Sequence, residues 1–293
     1  MKDGAKVTKE VETFVLDQGA DLVGFASIDR FRNAPDGYRP QDYMRDAAVV
    51  ISIAVGLARG ICNIWGDYTK PGKTIGPYMF FGGGQLINLE LGRIANRTAK
   101  WLEQQKFNSL PFPPAGEVST YRWRGLRQGE ALADFSHKHA AIAAGLGEIG
   151  WSNLVITPRF GPRVRLISLI TNAPLEPSPM YQGPALCQPD RCGFFCVKNC
   201  PAQALSMSES RVAVIGEKEY KYAKIDRVRH SYGISGLVKG SGSIRCVDIP
   251  PGPGDYRHYQ EALQNQRAVD RAMRQEGTAG FCSICQHQCP APF

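Results

Sequence analysis

The cysteines of this 293-residue chain are concentrated in two short segments, and this distribution constrains the fold more than any other feature. Four of the nine cysteines lie in CQPDRCGFFCVKNCP, at positions Cys187, Cys192, Cys196 and Cys200. Near the end of the sequence, FCSICQHQCP supplies three more, Cys282, Cys285 and Cys289. A proline follows the last cysteine of each segment. In a reducing compartment, cysteines spaced this closely indicate metal ligation rather than disulfides.

The two prolines favour an iron–sulfur centre of the ferredoxin type. In bacterial ferredoxins three close cysteines bind one [4Fe–4S] cluster, and the cysteine before proline binds the other cluster. The pattern therefore predicts two clusters, and the cysteine before proline in each segment binds the cluster held mainly by the other segment. We expect the first set to be Cys187, Cys192, Cys196 and Cys289, and the second to contain Cys200, Cys282 and Cys285.

The second set needs one more ligand, and the sequence offers two candidates. Cys246, in GSIRCVDIPPG, is the simpler choice, and His230 is its rival because imidazole replaces thiolate at some cluster irons. Structural zinc is the alternative to clusters. Zinc ribbons pair two CxxC knuckles, whereas only Cys282 and Cys285 have that spacing here. Cys62 stands alone among apolar residues and is predicted to be a buried small hydrophobe.

Composition and charge exclude two classes of protein. No run of about 18 apolar residues is present, so we expect no membrane span. The first twenty residues lack the order of a secretory signal, which favours a cytoplasmic protein. The formal net charge of +8 comes from scattered lysines and arginines, which is typical of a solvated surface rather than a nucleic-acid site.

Hydrophobic periodicity predicts an α/β (α+β) domain over residues 1–175. Helices are expected over 5–18, over 86–102 and from the N-cap Ser136 to Gly145. Strands are expected over 21–28, 47–57 and 163–171. A proline-rich linker over 175–184 then leads into residues 176–293, predicted to be an irregular, cysteine-bearing domain.

Three segments resemble a known family. HAAIAAGLGEIGWSNLVITPRFGPRVRLISLITNAPL (139–175), DQGADLVGFASIDRF (17–31) and AAVVISIAVGL (47–57) are similar to the cobalamin-dependent iron–sulfur reductases typified by epoxyqueuosine reductases. Reductive dehalogenases are more distant relatives. The resemblance covers nearly the whole chain, and the 139–175 segment followed by the cysteine motif is its most specific part.

The resemblance implies a nitroreductase-like, corrinoid-binding domain over 1–175, packed against a ferredoxin-like domain with two clusters over 176–293. A low-potential donor such as ferredoxin or flavodoxin would pass electrons through the clusters to a cobalamin whose lower base is displaced. The cobalamin would then reduce the substrate. The residues expected near the corrinoid are Ser136, Gly145, Leu146, Gly147 and Gly150. A helix C-cap and tight turn would also explain Gly145.

The chain also departs from the family. Where epoxyqueuosine reductases have an acidic proton donor, this sequence has Ala131, with Glu130 and Asp134 as the nearest carboxylates. The Gly-x-Asp-Tyr-His segment of the family is replaced by FFGGGQLINLE. The helical-repeat extension of many tRNA-modifying members is not found after Cys289. These departures favour a small-molecule substrate and make tRNA an unfavoured partner.

A reduction of this kind needs a proton source. His137, Lys138 and His139 follow Ser136 at a predicted helix N-terminus, where the helix dipole lowers the pKa of a histidine. We expect one histidine to donate a proton and Lys138 to hold an anionic group; otherwise these residues are an N-cap and surface polar groups. Weaker candidates are Tyr78 and Tyr121.

Three functions remain open at this point. The chain is a cobalamin-dependent reductase of a small molecule, a dicluster electron-transfer protein with no substrate of its own, or a corrinoid-carrying or corrinoid-activating protein. The large first domain disfavours a bare ferredoxin, because two clusters alone need only a small fold.

Overall fold

The computed structural model describes residues 3–63, 78, 81–83, 85–114, 134–238, 247–264, 282 and 284–291. Its strands are β1 (Leu22–Ser27), β2 (Val49–Gly56), β3 (Ser109–Pro111), β4 (Glu148–Ile149), β5 (Val155–Ile156), β6 (Val164–Thr171), β7 (Leu205–Ile215) and β8 (Lys218–Ile225). Its helices are α1 (Gly4–Asp17), α2 (Pro40–Tyr43), α3 (Arg59–Cys62), α4 (Gln85–Gln104), α5 (His137–Ala143), α6 (Phe195–Lys198), α7 (Arg227–Ile234) and α8 (Ile284–His287). Residues 256–264 are also helical.

A four-stranded antiparallel sheet in the order β1-β2-β6-β3 forms the centre of the molecule. Strand β2 is buried along its first six residues, because helices cover both faces of the sheet. The continuous apolar run 47–57 predicted such a strand, and that prediction is confirmed. The mixed α/β class is confirmed as well.

Helices α1 and α4 cover one face of the sheet. Val7, Val11 and Val15 form a stripe with helical spacing on α1 and pack with Leu91 and Ile94 of α4. The predicted helices 5–18 and 86–102 are confirmed, with ends that differ by one or two residues.

Helix α5 covers the other face and lies very close to it. The Ser136 side chain accepts a hydrogen bond from the backbone N–H of His139, which confirms the predicted N-cap. Residues 140–144 are almost completely buried. At β1, a Cβ on Gly24 would lie 2.3 Å from the Ala144 carbonyl oxygen, so only glycine allows the helix to approach this closely.

The prediction that the chain is irregular after residue 184 was wrong. Strands β7 and β8 form an antiparallel hairpin, with Gly216 at φ 61° in the connecting turn. Ile215 and Tyr220 are buried in the same core cluster as α5. The outer face of β7 is polar or exposed, so the strand lacks the continuous apolar run by which β2 and β6 were identified.

The predicted linker lies along the edge of the sheet. Two hydrogen bonds join Ser178 to Phe25 of β1. The Ser178 N–H donates to the Phe25 carbonyl (2.8 Å), and the Ser178 hydroxyl accepts from the Phe25 N–H (3.0 Å). Arg30 donates to the carbonyls of Ala143 (2.5 Å) and Ser178 (2.7 Å). The two hydrogen bonds with Ser178 satisfy groups of the edge strand β1 that would otherwise be unpaired. The domain boundary at 175/176 stays a prediction.

None of the helices in the described part of the chain combines the length and apolar character needed to cross a membrane.

Candidate metal centre and adjoining polar site

Three cysteines of the first segment and one of the distant last segment form the first thiol group. Burial, followed by repulsion from nearby thiolates, raises the pKa of Cys196 to about 12. The cysteines that contribute to this repulsion are Cys187, Cys289 and Cys192. The structure therefore places these four thiols near one another, and their role as ligands of one cluster stays a prediction.

The second group contains three of the four ligands predicted for the other cluster. Burial raises the pKa of Cys282 to about 12, with a further contribution from Cys200. Burial also raises the pKa of Cys285, and smaller contributions come from the charges of Cys282, Cys200 and Cys196. Because Cys196 belongs to the first group, the two groups adjoin. Cys246, the predicted eighth ligand, lies outside the described residues.

The cysteine side chains have the chemistry that a metal centre requires, because they are unoxidised thiols that can become thiolate ligands. All eight described cysteines are free. Iron binding requires thiolates, so a metal would displace the protons that burial and mutual repulsion hold on the sulfurs. Among the described residues, no three His, Cys, Asp or Glu side chains are close enough to hold a single metal ion. The ligands of a cubane are farther apart, because its irons and sulfides lie between them.

Backbone N–H groups contact one sulfur in each group. The Trp151 N–H donates to Cys187 Sγ (3.2 Å), and the Ala204 N–H donates to Cys200 Sγ (3.3 Å). Hydrogen bonds of this kind help to set the reduction potentials of iron–sulfur clusters. Gly150 lies beside the first contact: a Cβ there would be at an ordinary contact distance of 3.6 Å from Cys187 Sγ, but only 2.5 Å from Ile156 Cδ1.

The last cysteine segment is held to the start of β6 by polar contacts. Arg163 donates to the carbonyls of Cys289 and, at 3.1 Å, Ala291. Gln286 donates to the Val164 carbonyl at 3.1 Å. Arg163 and Gln286 were missed from the sequence, although Arg163 belongs to the PRFGPR segment that carries the family resemblance.

Gln286 also accepts a hydrogen bond from the Tyr78 hydroxyl at 3.0 Å. Tyr78 is buried, so its hydroxyl tethers the last cysteine segment from a second side. Its predicted role as a proton donor stays a prediction. Tyr121, Glu130 and Ala131 lie outside the described residues.

His230 remains a candidate ligand for the second cluster. A Cβ at Gly233 of α7 would lie 3.5 Å from Cys282 Cβ and 3.7 Å from its sulfur. His230 is three residues earlier on the same helix, and residues at this spacing are neighbours on one helix face. The choice between His230 and Cys246 stays open.

His137 is tied by both ring nitrogens at the start of α5. Nε2 lies 2.9 Å from the Pro113 carbonyl and Nδ1 lies 3.0 Å from Ser168 Oγ. A carbonyl only accepts, so Nε2 carries the proton. Burial lowers the pKa of His137, so the ring is neutral and Nδ1 accepts from the serine hydroxyl. These bonds fix the orientation of the ring.

His139 and Lys138 differ in their capacity to hold a proton. Burial, with a smaller contribution from Lys138, lowers the pKa of His139 to about 4; its Nδ1 lies 2.5 Å from Ser136 Oγ. Burial and the charge of Arg227 lower the pKa of Lys138 to about 7. A group with a pKa near 7 is suited to proton donation at neutral pH. Lys138 therefore suits this role better than either histidine.

The glycines predicted to contact a corrinoid have close backbone contacts. A Cβ at Gly145, which has φ 80°, would lie 2.1 Å from the Pro179 carbonyl oxygen. A Cβ at Gly147 would lie 2.0 Å from the Ile156 carbonyl oxygen. Leu146 is buried in the core beside α5. Corrinoid contact by these residues stays a prediction, but each has a packing role.

We expect Gly147→Ala to lower the free energy of unfolding by about 1–3 kcal/mol, because the new methyl group would overlap the Ile156 carbonyl. The matched control is Gly92→Ala on α4, where a Cβ meets nothing within 4 Å. That substitution should stabilise the protein by about 0.5–1 kcal/mol. Chemical denaturation of both variants would measure the difference, and equal effects would contradict the predicted clash.

Comparison with solved structures finds two groups of enzymes. An epoxyqueuosine reductase from Streptococcus thermophilus aligns with 97% of this chain and 66% of its own, at a TM-score of 0.52 and 19% identity. The one from Bacillus subtilis covers 92% of this chain and 75% of its own, at a TM-score of 0.55 and 16% identity. A reductive dehalogenase covers 94% of this chain, at a TM-score of 0.59 and 17% identity.

The chain has the fold of epoxyqueuosine reductases and reductive dehalogenases. The resemblance predicted from the sequence is confirmed at this level. The alignment spans only 36% of the dehalogenase chain, so much of that protein has no counterpart here. No model of a protein family and no curated protein matches the chain.

Proposed function

We propose that the protein is an iron–sulfur reductase that passes electrons through two adjoining [4Fe–4S] clusters to a cobalamin, for reduction of a small molecule. The observation that carries the proposal is the convergence of seven cysteines into two adjoining groups. Their composition matches the exchanged ligand sets of a two-cluster ferredoxin. The shared fold supports the general class, because both groups of structural relatives are reductases by name.

In the proposed reaction, different residues would bind the clusters, stabilise their charge and supply a proton. Cysteines from both segments hold the irons, and the Trp151 and Ala204 N–H groups stabilise negative charge on the sulfurs. Cys196 is close enough to Cys285 for its charge to raise the pKa of that thiol, so the two clusters would lie beside each other. Lys138 carries a proton that can be given up near neutral pH.

The proposal of cobalamin as a cofactor rests on the structural relatives. The reductive dehalogenase is described as the basis of a mechanism for B12-dependent dehalogenation. When bound, cobalamin would supply a cobalt centre that delivers electrons to the substrate. The protein would orient the corrinoid and exclude water. A low-potential ferredoxin or flavodoxin is the proposed external donor.

A second candidate is a dicluster electron-transfer or corrinoid-activating protein without a substrate of its own. It is favoured by the packing of Gly145 and Gly147 against backbone carbonyls. These contacts occupy the turn that the resemblance assigned to the corrinoid.

The test is anaerobic reconstitution of the full chain, followed by titration with hydroxocobalamin monitored by absorbance and electron paramagnetic resonance. The proposal predicts about eight irons per chain and saturation at about one cobalamin. Iron without cobalamin binding would favour the second candidate. Zinc in place of iron would refute both.

Substrate classes are separated by a binding assay. A tRNA ligand would show binding that weakens steeply as salt rises, because phosphate contacts release counterions. We expect no such binding. Consumption of reducing equivalents that depends on an added small molecule would support the reductase over the electron-transfer protein.

A further inference from the structure

A tight turn at residues 150–154 connects the polar residues at the start of α5 with the first thiol group. The Gly150 N–H donates to the Leu154 carbonyl, and the Asn153 N–H donates to the Gly150 carbonyl, both at 2.8 Å. Asn153 is buried and has φ 62°, a left-handed conformation that asparagine tolerates better than most residues. The turn is therefore well defined by its own hydrogen bonds.

The two ends of this turn contact different partners. On one side, the Trp151 N–H donates to Cys187 Sγ at 3.2 Å. On the other side, Lys138 Nζ donates to the Asn153 carbonyl at 3.0 Å. Movement of Asn153 would consequently move the Trp151 amide relative to the sulfur.

The β7–β8 hairpin holds the same turn from a third direction. The Ala223 N–H donates to the Trp151 carbonyl at 2.9 Å, and the Trp151 indole N–H donates to the Ser206 carbonyl at 3.2 Å. The Trp151 ring also packs edge-on against Phe194, at 5.4 Å between ring centroids. With these contacts in place, Lys138 anchors the side of the turn opposite the sulfur.

The charges around Lys138 make its burial costly without a nearby anion. Arg227 of α7 is close enough to lower its pKa, and His139 is its neighbour on α5. Among the described residues, no carboxylate contributes to the pKa of Lys138. Within the part of the chain that the structure describes, the charge outside the thiol group that contributes to the pKa of Cys187 is that of Glu148. Lys138 would therefore act on a cluster at Cys187 through the turn and not through its own charge.

We propose that Lys138 is a positioning residue for the cluster at Cys187: it anchors the 150–154 turn, keeps the Trp151 N–H on Cys187 Sγ, and by this contact raises the reduction potential of that cluster. The inference rests on the proposed function, since it requires a cluster at Cys187. It gives Lys138 a role in electron transfer that is separate from proton donation to a substrate. The Trp151 N–H stabilises the more negative, reduced form of the cluster more than the oxidised form, so weakening this hydrogen bond lowers the potential.

The test is a redox titration of the reconstituted full chain, monitored by electron paramagnetic resonance. Lys138→Met should lower the equilibrium constant for reduction of one cluster about tenfold, which is a fall of about 59 mV in its potential for a one-electron couple. Lys138→Arg keeps an N–H donor for the Asn153 carbonyl and should stay within about twofold of the unsubstituted protein. The control is Lys198→Met, at the end of α6 between two cysteine ligands, where the exposed charge is screened by solvent.

The two proposals fail in different ways. If iron is bound normally but Lys138→Met leaves both potentials unchanged, the role of Lys138 is refuted and the proposed function is not. If the unsubstituted protein binds no iron, both are refuted. Should Lys138→Met not fold, Lys138→Gln supplies a polar but shorter side chain that cannot reach the Asn153 carbonyl at the same distance, and an unchanged potential in that variant would equally overturn the inference.

Discussion

Replacement of Cys289 by alanine is expected to remove one cluster and to lower the iron content from about eight to about four per chain. Cys289 lies far from Cys187 and Cys196 in the sequence, yet the structure places it with them. Its loss would leave three thiolates and an iron open to solvent. Iron analysis and electron paramagnetic resonance of the anaerobically reconstituted variant would measure the loss.

Cys62→Ala is the matched control for this substitution. Cys62 is buried beside Tyr78 and Ile87, and burial raises its pKa to about 11. It packs as a small apolar residue, so its replacement should leave the iron content unchanged. Loss of iron in Cys62→Ala with full retention in Cys289→Ala would show that the ligand assignment is wrong.

Arg163→Met should release the last cysteine segment and make the cluster at Cys289 labile. Arg163 is 7% exposed, and its guanidinium bonds the carbonyls of both Cys289 and Ala291. Hydrogen bonds to a charged group contribute about 1.5–3 kcal/mol each. We therefore expect iron to be lost to a chelator at least about tenfold faster, with a lower free energy of unfolding.

Arg159→Met provides the comparison for this effect. Arg159 belongs to the same loop but is exposed, and its guanidinium lies 4.7 Å from the centre of the Phe160 ring. An exposed contact of this kind contributes about 0.5–1 kcal/mol, so iron release should be nearly unchanged. Equal rates of iron release from the two variants would contradict the proposed role of Arg163.

The sequence predicted the core of the fold because that core uses simple patterns. Strands β2 and β6 are buried on both faces and appear as continuous apolar runs, while α1 has an apolar stripe at helical spacing. The β7–β8 hairpin was missed because only one of its faces is covered. The short strands β3, β4 and β5 are too brief for any periodicity to appear.

Cysteine spacing predicted which sulfurs meet, but the residues that position them could not be predicted. Cys196 and Cys289 were assigned to one set from the ferredoxin pattern, and the structure brings them together. The Trp151 amide, Arg163 and Gln286 act through backbone atoms or long-range contacts, which leave no signal in local sequence. Burial of the Ser136–His139 segment was also unpredictable, since it depends on the sheet beneath it.

The crossing of the two cysteine segments has a consequence for biosynthesis. The proposed ligands Cys187 and Cys289 are separated in the sequence by the whole β7–β8 hairpin and helix α7. During translation, the first segment and the hairpin would emerge from the ribosome before the second segment exists, although domains commonly fold as they emerge. The proposed cluster at Cys187 could then be completed only after residue 289 has left the exit tunnel, and the second cluster only after residue 285, so iron would have to be delivered after the hairpin has emerged.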